Sequence, residues 1–104
     1  MKNKDKQRLE SLFSLGCIVC LNQGFGYSEP EIHHLRHGMG MGQKNDAFHT
    51  IPLCPKHHRT GNYGVALHAG QHFFETKFGS ELELLDKTNR QLETQRISKI
   101  FGAG

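Results

Sequence analysis

HTIPLCPKHH, residues 49–58, is the segment from which the fold of this chain is best predicted. Its first half, residues 49–53, is a short apolar run that predicts a strand. Pro52 requires an edge or terminal position in that strand, because proline donates no backbone hydrogen bond. Pro55, directly after Cys54, is typical of the first turn of a helix. A cysteine and a histidine therefore lie where a strand passes into a helix.

A matching pair of metal-ligating residues lies earlier in the chain, where Cys17 and Cys20 form a CxxC motif. Cys54 and His57 form a CxxH motif with the same spacing, which lets both side chains of a pair reach one ion. The alternatives are three buried free cysteines beside an unrelated histidine, or a redox CxxC, which normally belongs to a thioredoxin-like βαβ pattern. We predict a closed Cys₃His site for a structural Zn²⁺, whose binding would stabilise the fold.

The composition indicates why such a site is needed. The chain has 104 residues, of which 36% are hydrophobic and 9% aromatic, with no tryptophan. Chains of this size often rely on a disulfide or a metal. Three cysteines are an odd number for a disulfide framework, whereas eight histidines favour metal binding. The net charge of +3 is compatible with a polyanionic partner.

Membrane and secreted proteins are classes that the sequence argues against. No apolar run approaches the roughly 18 residues that a membrane span needs. Residues 1–6 are charged, and no apolar segment typical of a signal peptide follows them. Free thiols without an export signal favour a reducing compartment. We therefore expect a cytoplasmic protein without a membrane partner.

Helices are predicted on both sides of the cysteine-rich region. Apolar spacing predicts a helix over residues 5–15 that ends at Gly16. Residues 71–78 predict a second helix, whose three phenylalanines we expect to pack in the core: Phe73, Phe74 and Phe78. Ser80 and Glu83 form a capping box for a third helix through about residue 100. Its expected apolar stripe contains Leu82, Leu85 and Leu92.

Two histidine doublets, His33-His34 and His57-His58, predict two separate centres. Residues 31–35 predict a strand, and neighbouring residues on a strand point to opposite faces. Neighbouring residues on a helix diverge by about 100°. One histidine of the first doublet can therefore face a metal while the other faces water or a substrate, and His57 and His58 should serve different centres. The doublets thus predict two sites, one closed and one open.

The order of these residues resembles the HNH endonuclease motif over residues 17–60. The resemblance implies a ββα-metal fold around one catalytic divalent ion. It implies that His33 binds the metal, that His34 is the general base, and that His58 is a further metal ligand. His49 occupies the place of the middle asparagine, where we expect it to hold the loop and orient His34.

A narrower resemblance covers residues 17–92. The pattern HHLRHG, then IPLCxxHHR, then Leu67-His68 and a phenylalanine-rich helix ending at Gly79 resembles the RecA-dependent recombination-enhancement (Ref-type) nucleases of temperate phages. This resemblance implies a nuclease that cuts DNA held in a recombinase filament in the bacterial host cytoplasm. No residue of the chain by itself indicates a recombinase contact.

These patterns predict a metal-dependent DNA endonuclease. A divalent ion (Mg²⁺, Mn²⁺ or Zn²⁺) would bind the phosphate and the leaving oxygen. We expect His68 as its third ligand, with Asn62 as the competing candidate. Phosphate contacts are expected from basic residues around the site, although ordinary solvated charge is the alternative. These basic residues are Arg36, Lys44, Lys56 and Arg59.

Two other functions are alternatives to the enzyme. A non-catalytic zinc module that binds nucleic acid or protein needs the Cys₃His set alone and has no use for the remaining histidines. A metal-sequestering protein would carry its histidines in a tract. The predicted fold class is α+β: one domain over residues 1–104, with an N-terminal helix in 1–16, a zinc knuckle and ββα-metal core in 17–60, and C-terminal helices in 71–100.

Overall fold

The computed structural model describes residues 3–35, 47–61 and 65–100. These residues form a small mixed structure of helices and a two-stranded sheet. In chain order the elements are α1 (Asn3–Leu15), α2 (Ile18–Asn22), β1 (Glu31–His34), β2 (Thr50–Leu53), a π-helical turn (Lys56–Thr60), a 3₁₀ turn (Leu67–Ala69), α3 (Gln71–Phe78) and α4 (Glu81–Ile100).

The two strands form an antiparallel hairpin that sets the direction of the first histidine doublet. In this register His33 lies opposite Ile51, and His34 lies opposite Thr50. The Leu35 N–H donates to the His49 carbonyl at 3.0 Å, which extends the pairing by one residue. Since side chains alternate along a strand, His33 is buried whereas His34 is exposed. The predicted separation of the doublet is confirmed.

Local signals in the sequence set the ends of the helices. Gly16 ends α1 with a φ of +86°, and a Cβ there would lie 2.7 Å from the Tyr27 ring. At α4 the Ser80 N–H donates to Glu83 Oε1 at 2.9 Å, and the Glu83 N–H donates to Ser80 Oγ at 3.1 Å. This reciprocal pair is the predicted capping box.

The core lies between the hairpin and the helices that surround it. Its buried members come from α2, β2 and the C-terminal half of the chain. They include Ile18, Val19, Ile51, Leu53, Leu67, Phe74 and Leu84. All three cysteines belong to the same cluster. The three cysteines are therefore part of the core and not an addition to its surface.

Arg8 connects three elements that are distant in sequence. Its guanidinium donates to the Ala47 carbonyl at 2.9 Å, to the Thr50 carbonyl at 2.7 Å and to Asn89 Oδ1 at 2.8 Å. These contacts join α1 to β2 and to α4, because charged donors bind carbonyl oxygens strongly. They hold β2 against both helices.

Two expected core residues on the C-terminal helices are solvent-exposed. Phe73 is 53% exposed and Leu82 is 49% exposed, so both expectations are wrong. The buried face of α4 instead contains Glu81, Leu84 and Thr88, which are at most 1% exposed. Two of these three residues are polar, so apolar spacing alone does not predict this buried face.

Within the described ranges, none of the helices combines the length and the apolar character that a bilayer crossing requires.

Candidate metal centres

Two turns bring the predicted Cys₃His residues together. Cys17 precedes α2, and its Sγ accepts a hydrogen bond from the Cys20 N–H at 3.4 Å. Cys54 follows β2, and the His57 N–H donates to the Cys54 carbonyl at 3.0 Å. Each pair of ligands is thus held by the backbone of one tight turn. All four side chains are buried.

The distances within this Cys₃His cluster match a tetrahedral zinc site. Zinc bonds of about 2.3 Å to sulfur and about 2.0 Å to nitrogen require S–S edges of about 3.8 Å and S–N edges of about 3.5 Å. The Sγ atoms of Cys20 and Cys54 lie 3.8 Å apart. His57 Nδ1 lies 3.6 Å from both Cys17 Sγ and Cys20 Sγ, and 3.2 Å from Cys54 Sγ. The cluster could therefore hold a structural zinc ion.

Burial has a clear effect on the first thiol of the cluster. Desolvation raises the pKa of Cys17 to about 12, so a thiolate there needs a nearby cation. Desolvation also lowers the pKa of His57, which keeps this imidazole neutral and able to bind a metal. A zinc ion would displace the Cys17 proton and accept both ligands.

Neighbouring side chains enclose the Cys₃His cluster. The Phe78 ring packs edge-on against His57 at a centroid distance of 5.2 Å, and it also contacts Phe74 at 5.0 Å. The Ser28 hydroxyl donates to Cys20 Sγ at 3.1 Å. The rings of Phe74 and Phe78 are apolar and shield the site from water, and Ser28 supplies a hydrogen bond to Cys20 Sγ. These surroundings suit a structural site.

A second group of ligand atoms comes from three different elements. His33 lies on β1, His58 on the π-helical turn and His68 on the 3₁₀ turn. Their ring nitrogens lie within 4.8 Å of one another. His33 is buried, His58 is 12% exposed, and His68 is exposed. This three-histidine cluster is therefore open to solvent on one side.

The spacing inside the three-histidine cluster suits a divalent transition metal. His33 Nδ1 lies 3.2 Å from His58 Nε2. Metal–nitrogen bonds of about 2.1 Å place neighbouring ligands about 3.0 Å apart in an octahedron and about 3.4 Å apart in a tetrahedron. The His68 ring lies 4.5 Å from the His58 ring and 5.5 Å from the His33 ring, measured between centroids. Three imidazoles would leave coordination positions for water or a substrate.

Two carboxylates that the sequence analysis did not single out contact this cluster. Glu81 Oε1 lies 3.0 Å from His33 Nε2, and Glu31 Oε1 lies 2.9 Å from His58 Nδ1. Hydrogen bonds from Arg59, and then from His58, lower the pKa of Glu31 to about 2, so Glu31 is ionised at neutral pH. The only sequence signal was weak: Glu31 precedes the first doublet by two residues.

The other predicted site residues have different surroundings. His34 is exposed on the face of β1 opposite to His33, and His49 is half-buried at the end of the hairpin. Lys56 is exposed. Arg59 contacts both Glu31 oxygens, with its Nη2 2.6 Å from Oε2, so its charge is already shared with a carboxylate. Arg36, Lys44 and Asn62 lie outside the described residues.

Comparison with known proteins gives this geometry a context. An uncharacterized protein, YdfU of Escherichia coli (strain K12), is 42% identical over 71 residues, which are 66% of this chain and 17% of that relative. The chain thus matches only a small part of the relative's length. The family model described as "Recombination enhancement, RecA-dependent nuclease" matches residues 2–93, which include both clusters. The chain belongs to this family of RecA-dependent recombination-enhancement nucleases.

Proposed function

We propose that this chain is a metal-dependent DNA endonuclease of the ββα-metal type that acts during recombination. One observation carries the proposal: His33, His58 and His68 form an open set of metal ligands beside a closed Cys₃His set. A structural module gains nothing from a second, solvent-accessible set of ligands. Family membership supports a nuclease role in recombination, for which DNA is the expected substrate.

His33, His58 and His68 would hold the catalytic metal in this proposal. When bound, a divalent ion supplies positive charge that stabilises the pentacovalent phosphate and the leaving 3′ oxygen. The three imidazoles are neutral donors, so they leave the charge of the ion available for the phosphate. Borderline nitrogen ligands suit Zn²⁺ better than Mg²⁺ or Mn²⁺, which prefer oxygen ligands.

His34 is the proposed general base. It follows a proposed metal ligand directly, and its exposed ring is accessible to a water molecule. Imidazole is the side chain whose proton exchange lies near neutral pH, which makes it suited to deprotonating the attacking water. His49 pairs through its carbonyl with Leu35, one residue beyond His34. It would hold the end of the hairpin that carries the base.

Basic residues near the site would hold the DNA backbone. Lys56 and Arg59 lie on the turn that carries His58, and they would contact phosphates without reading bases. Arg36 and Lys44 are proposed for the same role. The substrate would be DNA in a recombinase filament, a proposal supported by the RecA dependence that the family description names.

A nicking assay tests the proposed reaction. The assay uses two substrates: supercoiled plasmid alone, and plasmid paired with RecA-coated single-stranded DNA. Each is incubated with the zinc-loaded protein and Mn²⁺, Mg²⁺ or Zn²⁺. Replacing the base, His34→Ala, should reduce cleavage by about 100-fold or more. His72→Ala is the matched control, since His72 is an exposed histidine outside both clusters, and it should cut at the normal rate.

Two results would contradict the proposal. Undiminished cleavage by His34→Ala with an intact zinc content would remove His34 as the base. Failure of the unmodified protein to cut either substrate with any of the three metals would favour a non-catalytic zinc module.

A further inference from the structure

Glu81 is a buried carboxylate to which the proposed reaction gives no role. It is the first residue of α4, and it is only 1% exposed. A carboxylate is almost never fully buried unless it is paired, because desolvation of the charge is costly. Its Oε1 lies 3.0 Å from Nε2 of His33, which is itself 3% exposed. The contact joins residues that are 48 positions apart in the chain.

The contact determines which nitrogen of His33 faces the three-histidine cluster. A carboxylate that accepts this hydrogen bond places the hydrogen of a singly protonated His33 ring on Nε2. Nδ1 then has a free lone pair, and Nδ1 is the atom that lies 3.2 Å from His58 Nε2. The hydrogen bond to Glu81 therefore holds the ring with its lone pair directed into the cluster.

His58 shows the same arrangement with its nitrogens exchanged. Its Nδ1 lies 2.9 Å from Glu31 Oε1, so Nδ1 carries the hydrogen and Nε2 has the lone pair. Two lone pairs, from His33 Nδ1 and His58 Nε2, thus face each other across 3.2 Å. Two acceptors cannot form a hydrogen bond with each other. A cation between them accounts for the arrangement.

We propose that Glu81 is a positioning residue that orients His33 as a metal ligand through Nδ1, and so makes helix α4 part of the metal centre. The inference rests on the proposed role of the three-histidine cluster and adds a residue from outside the hairpin and turns. Hydrogen bonds from metal-bound histidines to carboxylates fix the ring orientation, and their loss typically weakens metal binding by about 10- to 100-fold.

The experiment measures metal binding directly, without nuclease activity. Protein with its Cys₃His site filled by zinc is titrated with Co²⁺, and the visible absorption of bound cobalt is recorded. Glu81→Leu removes the acceptor and should weaken cobalt binding by about 10-fold or more. Glu81→Gln retains an acceptor oxygen of the same reach and should recover much of the affinity.

The matched control is Glu83→Gln. It removes the same charge from the same turn of α4, and glutamine preserves the capping box. This variant should bind cobalt as the unmodified protein does. Thermal unfolding of all variants by circular dichroism shows whether α4 and the fold are retained.

A spectroscopic measurement separates positioning from a general structural effect. Long-range ¹H–¹⁵N correlation of the imidazoles, with zinc in the Cys₃His site alone, should show one fixed tautomer for His33 with hydrogen on Nε2. In Glu81→Leu the His33 nitrogen shifts should move toward the averaged values of a free imidazole. The His57 signals should remain unchanged, because His57 belongs to the other cluster.

The outcomes distinguish this inference from the proposed reaction. A folded Glu81→Leu protein with unchanged cobalt affinity and unchanged His33 shifts would overturn the role of Glu81, even if the protein cuts DNA. An unmodified protein that binds no cobalt at this cluster would overturn it as well. Weakened cobalt binding in Glu81→Leu, in a protein that fails the nicking assay, would support the metal centre and overturn only the nuclease proposal.

Discussion

The Cys₃His cluster and the three-histidine cluster differ in burial and in surroundings. All four residues of the first are buried, and an aromatic ring covers His57. The second ranges from buried His33 to exposed His68, and its neighbours are carboxylates. Four enclosed ligands saturate a zinc ion, whereas three partly exposed ligands leave positions for other molecules. The comparison separates a centre suited to stability from a centre suited to chemistry.

The largest expected effect is loss of the fold when the closed cluster is broken. Cys54→Ser should abolish zinc binding at the Cys₃His cluster and leave the chain unfolded at 25 °C. Structural zinc contributes about 10 kcal/mol or more in small domains, which is comparable to the whole stability of about 5–15 kcal/mol. Circular dichroism and zinc content by mass spectrometry measure both effects. A folded, zinc-free Cys54→Ser protein would contradict the structural role.

A second variant should affect only the open cluster. His58→Ala should reduce bound metal from two ions to one per chain and lower DNA cleavage by about 100-fold or more. Its unfolding free energy should change by only about 1 kcal/mol, because Arg59 still binds Glu31 through three contacts. Metal analysis, the nicking assay and thermal unfolding test these expectations. Retention of two ions would show that His58 is not needed to bind the second ion, whereas loss of both ions would show that the clusters are not independent.

A smaller effect is expected from a neighbour of the closed cluster. Ser28→Ala removes the hydrogen bond to Cys20 Sγ, which should weaken zinc binding by about 10-fold while the fold is retained. Competition with a chromogenic zinc chelator measures the change. Ser14→Ala, at an exposed serine of α1, is the control. Equal zinc affinity in both variants would mean that the hydroxyl contributes nothing to the centre.

Features that depend on nearby residues could be predicted from the sequence. The hairpin alternation that separates His33 from His34 follows from strand geometry, and the capping box that starts α4 follows from Ser80 and Glu83. The Cys₃His grouping follows from two pairs with equal spacing. The first two signals are local, whereas the Cys₃His grouping joins Cys20 to Cys54, 34 positions away, and follows from the matched spacing of two ligand pairs.

Features that depend on distant contacts could not be predicted. An acidic residue in the first turn of a helix is ordinary, since it interacts favourably with the helix dipole, so Glu81 carried no sign of its contact with His33. Glu81 occupies part of the buried face of α4. The neighbouring Leu82 therefore faces solvent, contrary to the apolar stripe that the sequence predicts. His68 is an exception, because the sequence favours it as a ligand and it lies beside His33 and His58. The competing candidate, Asn62, lies outside the described residues.

The π-helical turn over Lys56–Thr60 joins the two clusters through a single peptide bond, because His57 belongs to one and His58 to the other. The Gly61 N–H closes this wide turn on the Lys56 carbonyl at 3.0 Å, and a Cβ at residue 61 would lie only 2.3 Å from that oxygen. Because His57 and His58 are adjacent on this turn, we expect displacement of His57 to move His58 as well. If the chain cuts DNA as proposed, a molecule without its buried zinc should fail to align His58 and should not cleave DNA.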